Sequence, residues 1–296
     1  MRKLVIYSSL ILSIACGRAL ADATGPDYWR INADAPVSMR MERDTGSDAV
    51  RQRSVDAGGL INLGCAGRLS FAEWSQLPEQ GLRRSSDTTW CKVRYLGDEG
   101  WIPGRYLVED GILQPGFDCA RADHEAEQIV CAEPELMQLD VLMNKVFAQA
   151  LATAGSLDIG AERKVRELRA SPRGWIGGRD ECWKAIEGKL ACIRSVYLQR
   201  ISRLQARWTL ADGRAPVTYR CDDQGEFVAT IYTTDALEAV VVEYGDSPRI
   251  HVSTDSERAN RYDGEFGRYV LFGAATARFV PEQREPLRRC EIAQDT

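Results

Sequence analysis

Two hydrophobic periods alternate along the chain. Up to about residue 110 the apolar positions fall in short alternating runs broken by Gly, Asp and Ser: VSMRM (37–41), GLINLG (59–64), WCKVRYL (90–96) and GWIPGRYLVE (100–109). Period two predicts strands with one face in a core. Asp98-Glu99-Gly100, after Leu96, predicts a tight hairpin. The period then lengthens. Leu136, Leu139, Met143, Val146 and Ala150, widened by Leu142 and Phe147, share one face of an amphipathic helix. Pro134 suits its first turn, the stretch from Thr153 to Ser156 ends it, and Asp158 predicts a cap for the next helix. That next helix carries Pro172, Gly174, Gly177 and Gly178, and a break is expected near Ser171-Pro172. A last helix presents Ile193, Tyr197, Ile201 and Leu204. From residue 215 alternation returns in VTYRC (217–221), EFVATIY (226–232), EAVVVEY (238–244), RIHVS (249–253), RYVLFG (268–273) and TARFV (276–280). Even spacing of such runs suits an antiparallel barrel or sandwich.

The N-terminus adds a compartment. Arg2 and Lys3 precede an apolar stretch from Leu4 to Ala15, and Ala19-Leu20-Ala21 is a small-x-small cleavage site. Residues 1–21 therefore read as a secretory signal, with cleavage near Ala21 and export to the periplasm or beyond expected. The rival reading makes Cys16 a lipid-anchored first residue, but Ser13 stands where lipid boxes prefer Leu. No later stretch is long and apolar enough to span a bilayer. Cleavage leaves 35 basic against 43 acidic side chains, a formal charge of −8. That sign disfavours nucleic acid and favours basic partners.

Behind such a signal, eight cysteines in even groups read as a disulfide framework. Cys65 and Cys91 form one group and Cys221 and Cys290 another. Cys119, Cys131, Cys182 and Cys192 allow three connectivities. Cys119–Cys131 with Cys182–Cys192 is favoured, because each closes a short loop at one end of the helical hairpin.

Three resemblances follow from these residues. Trp90-Cys91-Lys92-Val93, Gly97, Gly100-Trp101-Ile102-Pro103 and Tyr106-Leu107 resemble the closing hairpin of bacterial Src homology 3-like domains. For residues 25–111 the resemblance implies a five-stranded barrel, with Trp101 and Tyr106 as candidate contacts to a cell-wall peptide. Phe117-Asp118-Cys119, Ile129-Val130-Cys131, Pro134-Glu135-Leu136, Leu139-Asp140, Trp175, Arg179-Asp180, Cys182, Cys192-Ile193, Tyr197 and Arg200-Ile201 resemble the helical domain named after the lysozyme inhibitor LprI, over 117–207. There Trp175 and Arg179, four apart, can form a cation–π pair, or Trp175 is simply core and Arg179 a surface partner of Asp140 or Asp180.

Tyr219-Arg220-Cys221, Phe227, Ala239-Val240-Val241, Tyr244, Tyr262, Leu271-Phe272-Gly273, Ala277 and Cys290 resemble the membrane-bound inhibitor family of C-type lysozyme, over 215–292. The resemblance implies an eight-stranded barrel closed by Cys221–Cys290. It also implies an S-G-x-x-Y loop and a lysine that engage the enzyme's two catalytic carboxylates. Aligned on Tyr262, this chain has Arg258-Ala259 in place of Ser-Gly, and Gly273-Ala274 near the lysine. Arg258, Asn260, Tyr262 and Gly273 become candidate partner-binding residues, Arg258 offering a bidentate cation to a carboxylate.

Catalysis finds little support. The two histidines, His124 and His251, lie in different segments, and no H-E-x-x-H, G-x-S-x-G or phosphate-binding glycine loop occurs. No C-x-x-C knuckle suggests a metal, and no cofactor is expected. The sequence therefore predicts a multidomain α+β chain made of a small all-β barrel, a disulfide-stapled helical hairpin and an antiparallel β-barrel. The expected function is non-enzymatic inhibition of a lysozyme or other peptidoglycan hydrolase, including as an immunity protein. The alternative is a peptidoglycan-binding structural protein of the envelope that inhibits nothing.

Overall fold

The computed structural model describes residues 26–67, 76, 78, 88–245, 247–253, 260–281 and 284–293. The leader, with Cys16 and Ala21, lies outside them.

Seven strands open the chain: β1 (Tyr28–Ile31), β2 (Val37–Arg40), β3 (Ala49–Arg53), β4 (Leu60–Ala66), β5 (Trp90–Tyr95), β6 (Asp98–Pro103) and β7 (Leu107–Glu109). They form one antiparallel sheet in the order β3-β2-β6-β5-β4-β1-β7, where the resemblance implied five strands. Alternation puts Val37, Met39, Val93, Tyr95 and Ile102 inside. The β5–β6 turn is not Asp98-Glu99-Gly100, because Asp98 already pairs with Tyr95. Leu96 and Gly97 make the two-residue turn, both with positive φ (52° and 86°), the geometry that matches strand twist. Leucine is strained there. It is nonetheless buried and, as described below, held from outside the sheet.

Four helices follow: α1 (Glu125–Ala132), α2 (Pro134–Gly155), α3 (Ala161–Asp180) and α4 (Lys189–Arg207). The predicted stripe of α2 is buried through Leu136, Leu139, Leu142, Met143, Val146 and Ala150. Two expectations are corrected. Asp158 does not cap α3, whose N-cap is Gly160 in the left-handed conformation. Nor does α3 break at Pro172. Proline removes the N–H that would bond the Leu168 carbonyl, and Ser171 Oγ donates to that carbonyl instead at 2.7 Å.

The last segment closes into a barrel. Strands β9 (Val217–Cys221), β10 (Glu226–Thr233), β11 (Ala239–Tyr244), β12 (Ser247–Val252), β13 (Arg261–Asp263), β14 (Tyr269–Phe272), β15 (Thr276–Val280) and β16 (Arg288–Ile292) are all antiparallel. The β10–β11 pairing joins the two ends, and the two-residue β8 (Asp212–Gly213) adds to β10.

Four disulfides brace these segments. Cys65–Cys91 joins opposed residues of β4 and β5, and Cys221–Cys290 joins opposed residues of β9 and β16. Cys119–Cys131 ties the 119–121 turn to α1, and Cys182–Cys192 closes the connection between α3 and α4. The cores are grouped differently. Ile31, Met39, Val93 and Ile102 of the sheet run into one buried cluster with Leu136, Leu139, Ile193 and Ile201 of the helices. The barrel keeps its own cluster around Phe227, Val240, Val270 and Phe279.

Candidate functional site

Two of the residues chosen on the barrel come together. Asn260, with φ 68°, precedes β13, and its carbonyl accepts the Phe272 N–H at 3.0 Å. Gly273 follows on the neighbouring strand and donates to the Thr276 carbonyl at 2.7 Å. A side chain at 273 would place its Cβ 2.6 Å from Thr276 Oγ1, so close approach of the turn explains the glycine. Both residues are exposed, and they share one rim of the barrel.

Tyr262 is not part of that rim. Strand parity turns it inward at 2% exposure, its ring edge-on to Phe272 at 5.7 Å. Its hydroxyl donates to the Glu238 carboxylate, and burial together with that partner raises the phenol pKa. It therefore holds the barrel wall and offers a partner nothing directly. Arg261 and Asp263 point the other way and pair at 2.8 Å, with the guanidinium 4.2 Å over Tyr269. Arg258 lies outside the described residues, in the 254–259 stretch just before Asn260.

On the first sheet, Trp101 and Tyr106 are both half-buried but line different depressions. Trp101 carries the Arg43 guanidinium 5.4 Å above its ring, beside Met41 and Asp44. Tyr106 carries Arg105 at 4.7 Å, beside Pro36 and Pro103. Trp90 lines both. The sequence did not single out Trp90 as a contact. Its pairing opposite Pro103, two ladder steps from Lys92–Trp101 and so on the same face, was the available signal.

The helices hold a polar chain instead of an open site. Tyr197 Oη donates to Asp140 Oδ1 at 2.7 Å, and Arg179, 3% exposed, reaches the Tyr197 hydroxyl at 3.5 Å. Arg179 also pairs with Asp180 at 2.8 Å and Glu127 at 3.5 Å. Trp175 packs edge-on to Tyr197 at 5.0 Å with Arg179 5.9 Å from its ring, so the cation–π contact and the Asp180 pairing coexist, but Arg179 is buried and not the surface partner expected. Burial, then the neighbouring Asp140, raises the Tyr197 pKa. Beyond this chain, Trp183, Ile186 and Leu190 stand exposed on the disulfide-closed tip between α3 and α4. His124 is spent as the N-cap of α1, its Nδ1 accepting the Ala126 N–H at 3.2 Å. Among the described residues, no three His, Cys, Asp or Glu side chains gather as metal ligands, and no helix is long and apolar enough to cross a membrane.

The fold and these surfaces define a disulfide-braced α+β protein whose exposed features are rims, depressions and an apolar tip. Among curated proteins the chain is similar to Lipoprotein LprI of Mycobacterium tuberculosis and of Mycobacterium bovis, at 26% identity over 145 residues, 48% of this chain and 68% of each relative. No family model matches the chain, and no solved structure matches it.

Proposed function

We propose that the chain is an exported envelope protein that binds and inhibits a peptidoglycan-degrading enzyme and catalyses nothing itself. The observation that carries this reading is the similarity to Lipoprotein LprI. The resemblances of residues 117–207 and 215–292 to two lysozyme-inhibitor families point the same way. The contacting surface proposed is the rim of Asn260 and Gly273, with Arg258, two residues before Asn260 in sequence, as a further candidate. Backbone hydrogen bonds from Phe272 to Asn260 and from Gly273 to Thr276 hold that rim in place, which limits the entropy lost on binding. The acidic mature chain steers a basic hydrolase toward it.

Turbidity clearing of cell walls by a C-type lysozyme, with and without the mature protein, tests the proposal. Slowing that saturates near one equivalent is expected, with Arg258→Ala relieving it. Full-rate clearing under excess protein rejects lysozyme as the target. Protection of producing cells against a delivered hydrolase would then identify the immunity form.

A second reading is favoured by the Trp90, Trp101 and Tyr106 depressions, which suit stacking against cell-wall glycopeptide. Co-sedimentation with purified sacculi, lost in Trp101→Ala, supports it, and retention of the whole protein in solution rejects it.

A further inference from the structure

A cleft of about 350 Å³ opens between α3, α4 and the outer wall of the barrel. Its charge is unlike that of the rest of the chain. Lys164 comes from α3, Arg200, Arg203 and Arg207 from α4, and Arg249 and Arg268 from the barrel. Only Glu167 and Glu265 oppose these six cations among its lining residues. A chain with net charge −5 thus concentrates positive charge in one concavity, where low-dielectric walls focus the field.

Each of the two lining carboxylates is engaged by a cation of the cleft. Glu167 is taken by Lys164 at 2.9 Å, and Glu265, itself exposed, is 3.4 Å from Arg203. Arg200 reaches a neutral group, Ser171 Oγ at 2.5 Å, and forms no ion pair among the described residues. Burial, then the neighbouring Arg203, lowers the Arg200 pKa, and burial lowers that of Arg203 against the opposing Glu265. Several polar atoms at this cleft are also withdrawn from water without a partner: the donors Arg200 Nε and Trp208 Nε1, and the two ring nitrogens of His251, one a donor and one an acceptor in the neutral ring, which is 0% exposed. Native proteins rarely leave such groups unsatisfied unless an outside group completes them.

We propose that this cleft binds a small ligand carrying two or more oxyanion groups, carboxylate or phosphate, held by Arg200 and Arg203 between the helical hairpin and the barrel. Guanidinium forks match both oxyanions bidentately. The cavity has the size of a small-molecule site. His251 serves as a neutral partner here. Burial first, then Arg203, Arg268 and Arg249 against Asp263, brings its pKa down to about 4. The bound anion bridges α4 to β12 and to the 264–268 turn, tying the two segments together.

Calorimetric titration of the mature protein with sodium pyrophosphate and with sodium citrate, at physiological ionic strength, tests this. Saturable one-to-one binding of at least one probe is expected, and the better probe distinguishes a phosphoryl from a carboxylate ligand. The double variant Arg200→Gln/Arg203→Gln weakens it by roughly ten- to a hundredfold. Arg220→Gln, an exposed residue of β9 paired with Glu226, leaves it unchanged. Absence of saturable heat with both probes overturns the proposal, and so does equal affinity in the double variant and in Arg220→Gln. Should the double variant not fold, Arg207→Gln at the exposed margin decides. A loss of roughly two- to fivefold supports the site and unchanged affinity rejects it.

Discussion

The helices meet β-structure on two sides, and the two seams are built differently. Against the first sheet the seam is a shared buried core crossed by hydrogen bonds. Gln138, 1% exposed on α2, accepts the Leu96 N–H at 3.1 Å and donates to the Gly59 carbonyl at 2.7 Å and the Arg94 carbonyl at 3.3 Å. Arg194 of α4 donates to the Leu96 carbonyl at 3.3 Å while paired with Glu135 at 2.5 Å. The strained turn leucine is therefore gripped at both its N–H and its C=O from the helices. Against the barrel the seam is a small apolar strip, in which Ala206 packs on Ala239, Val241 and Val252. It is stitched by Ser202 to Thr234 at 2.9 Å and Gln205 to Asp235 at 2.5 Å, and the rest is the basic cleft. Shared core makes one seam a structural joint. Its scarcity at the other leaves room for a ligand.

The largest expected effect tests the joint. Leu139→Ala, at a 0% exposed position in the shared cluster, should cost about 2–5 kcal/mol in urea unfolding. The sheet and helices should lose structure in one transition. Separate transitions for residues 26–109 and 125–207 would break the comparison.

Next comes pH at the open seam. The folded His251 pKa of about 4 lies below the ordinary histidine value of about 6.5, so the unfolded chain takes up the proton first as pH falls. Stability from this group is complete above about pH 6.5 and declines toward pH 4, by about 3 kcal/mol. His251→Asn should flatten that part of the stability–pH curve, and an unchanged slope would place the proton uptake elsewhere.

Gln138→Ala leaves the Leu96 N–H and two carbonyls unmet, and about 1–3 kcal/mol of destabilisation is expected in thermal melts. The smallest effect is at the barrel seam. Ser202→Ala removes the acceptor for the Leu237 N–H, with about 1 kcal/mol expected. A larger cost for Ser202 than for Gln138 would reverse the contrast.

What the sequence revealed follows the same division between local and long-range physics. The α2 stripe was legible because Leu136 to Ala150 repeat at helical spacing. The strands at 217–221, 226–232 and 276–280 were legible because their side chains alternate. Strands β13 and β16 were not, since Tyr262 and Cys290 are their only buried residues amid charged ones. The continuity of α3 depends on one hydroxyl, Ser171 Oγ, replacing the N–H that Pro172 lacks. The β5–β6 turn was misplaced because the groups that stabilise a left-handed Leu96 sit 42 and 98 residues away in sequence. Of the candidate contacts, Asn260 and Gly273 came together, Tyr262 faced inward, and Trp101 and Tyr106 divided between two depressions. The basic cleft was invisible in sequence, since its charges are scattered from Lys164 to Arg268 and only the fold gathers them.

Amide hydrogen exchange on the mature protein, with and without saturating pyrophosphate or citrate, tests the contrast between the seams most directly. A slow Leu96 amide is expected in both conditions, with slowed exchange on anion addition confined to residues 200–208 and 247–252. Fast exchange at Leu96 without the anion, or no anion-dependent change along α4 and β12, would contradict that contrast.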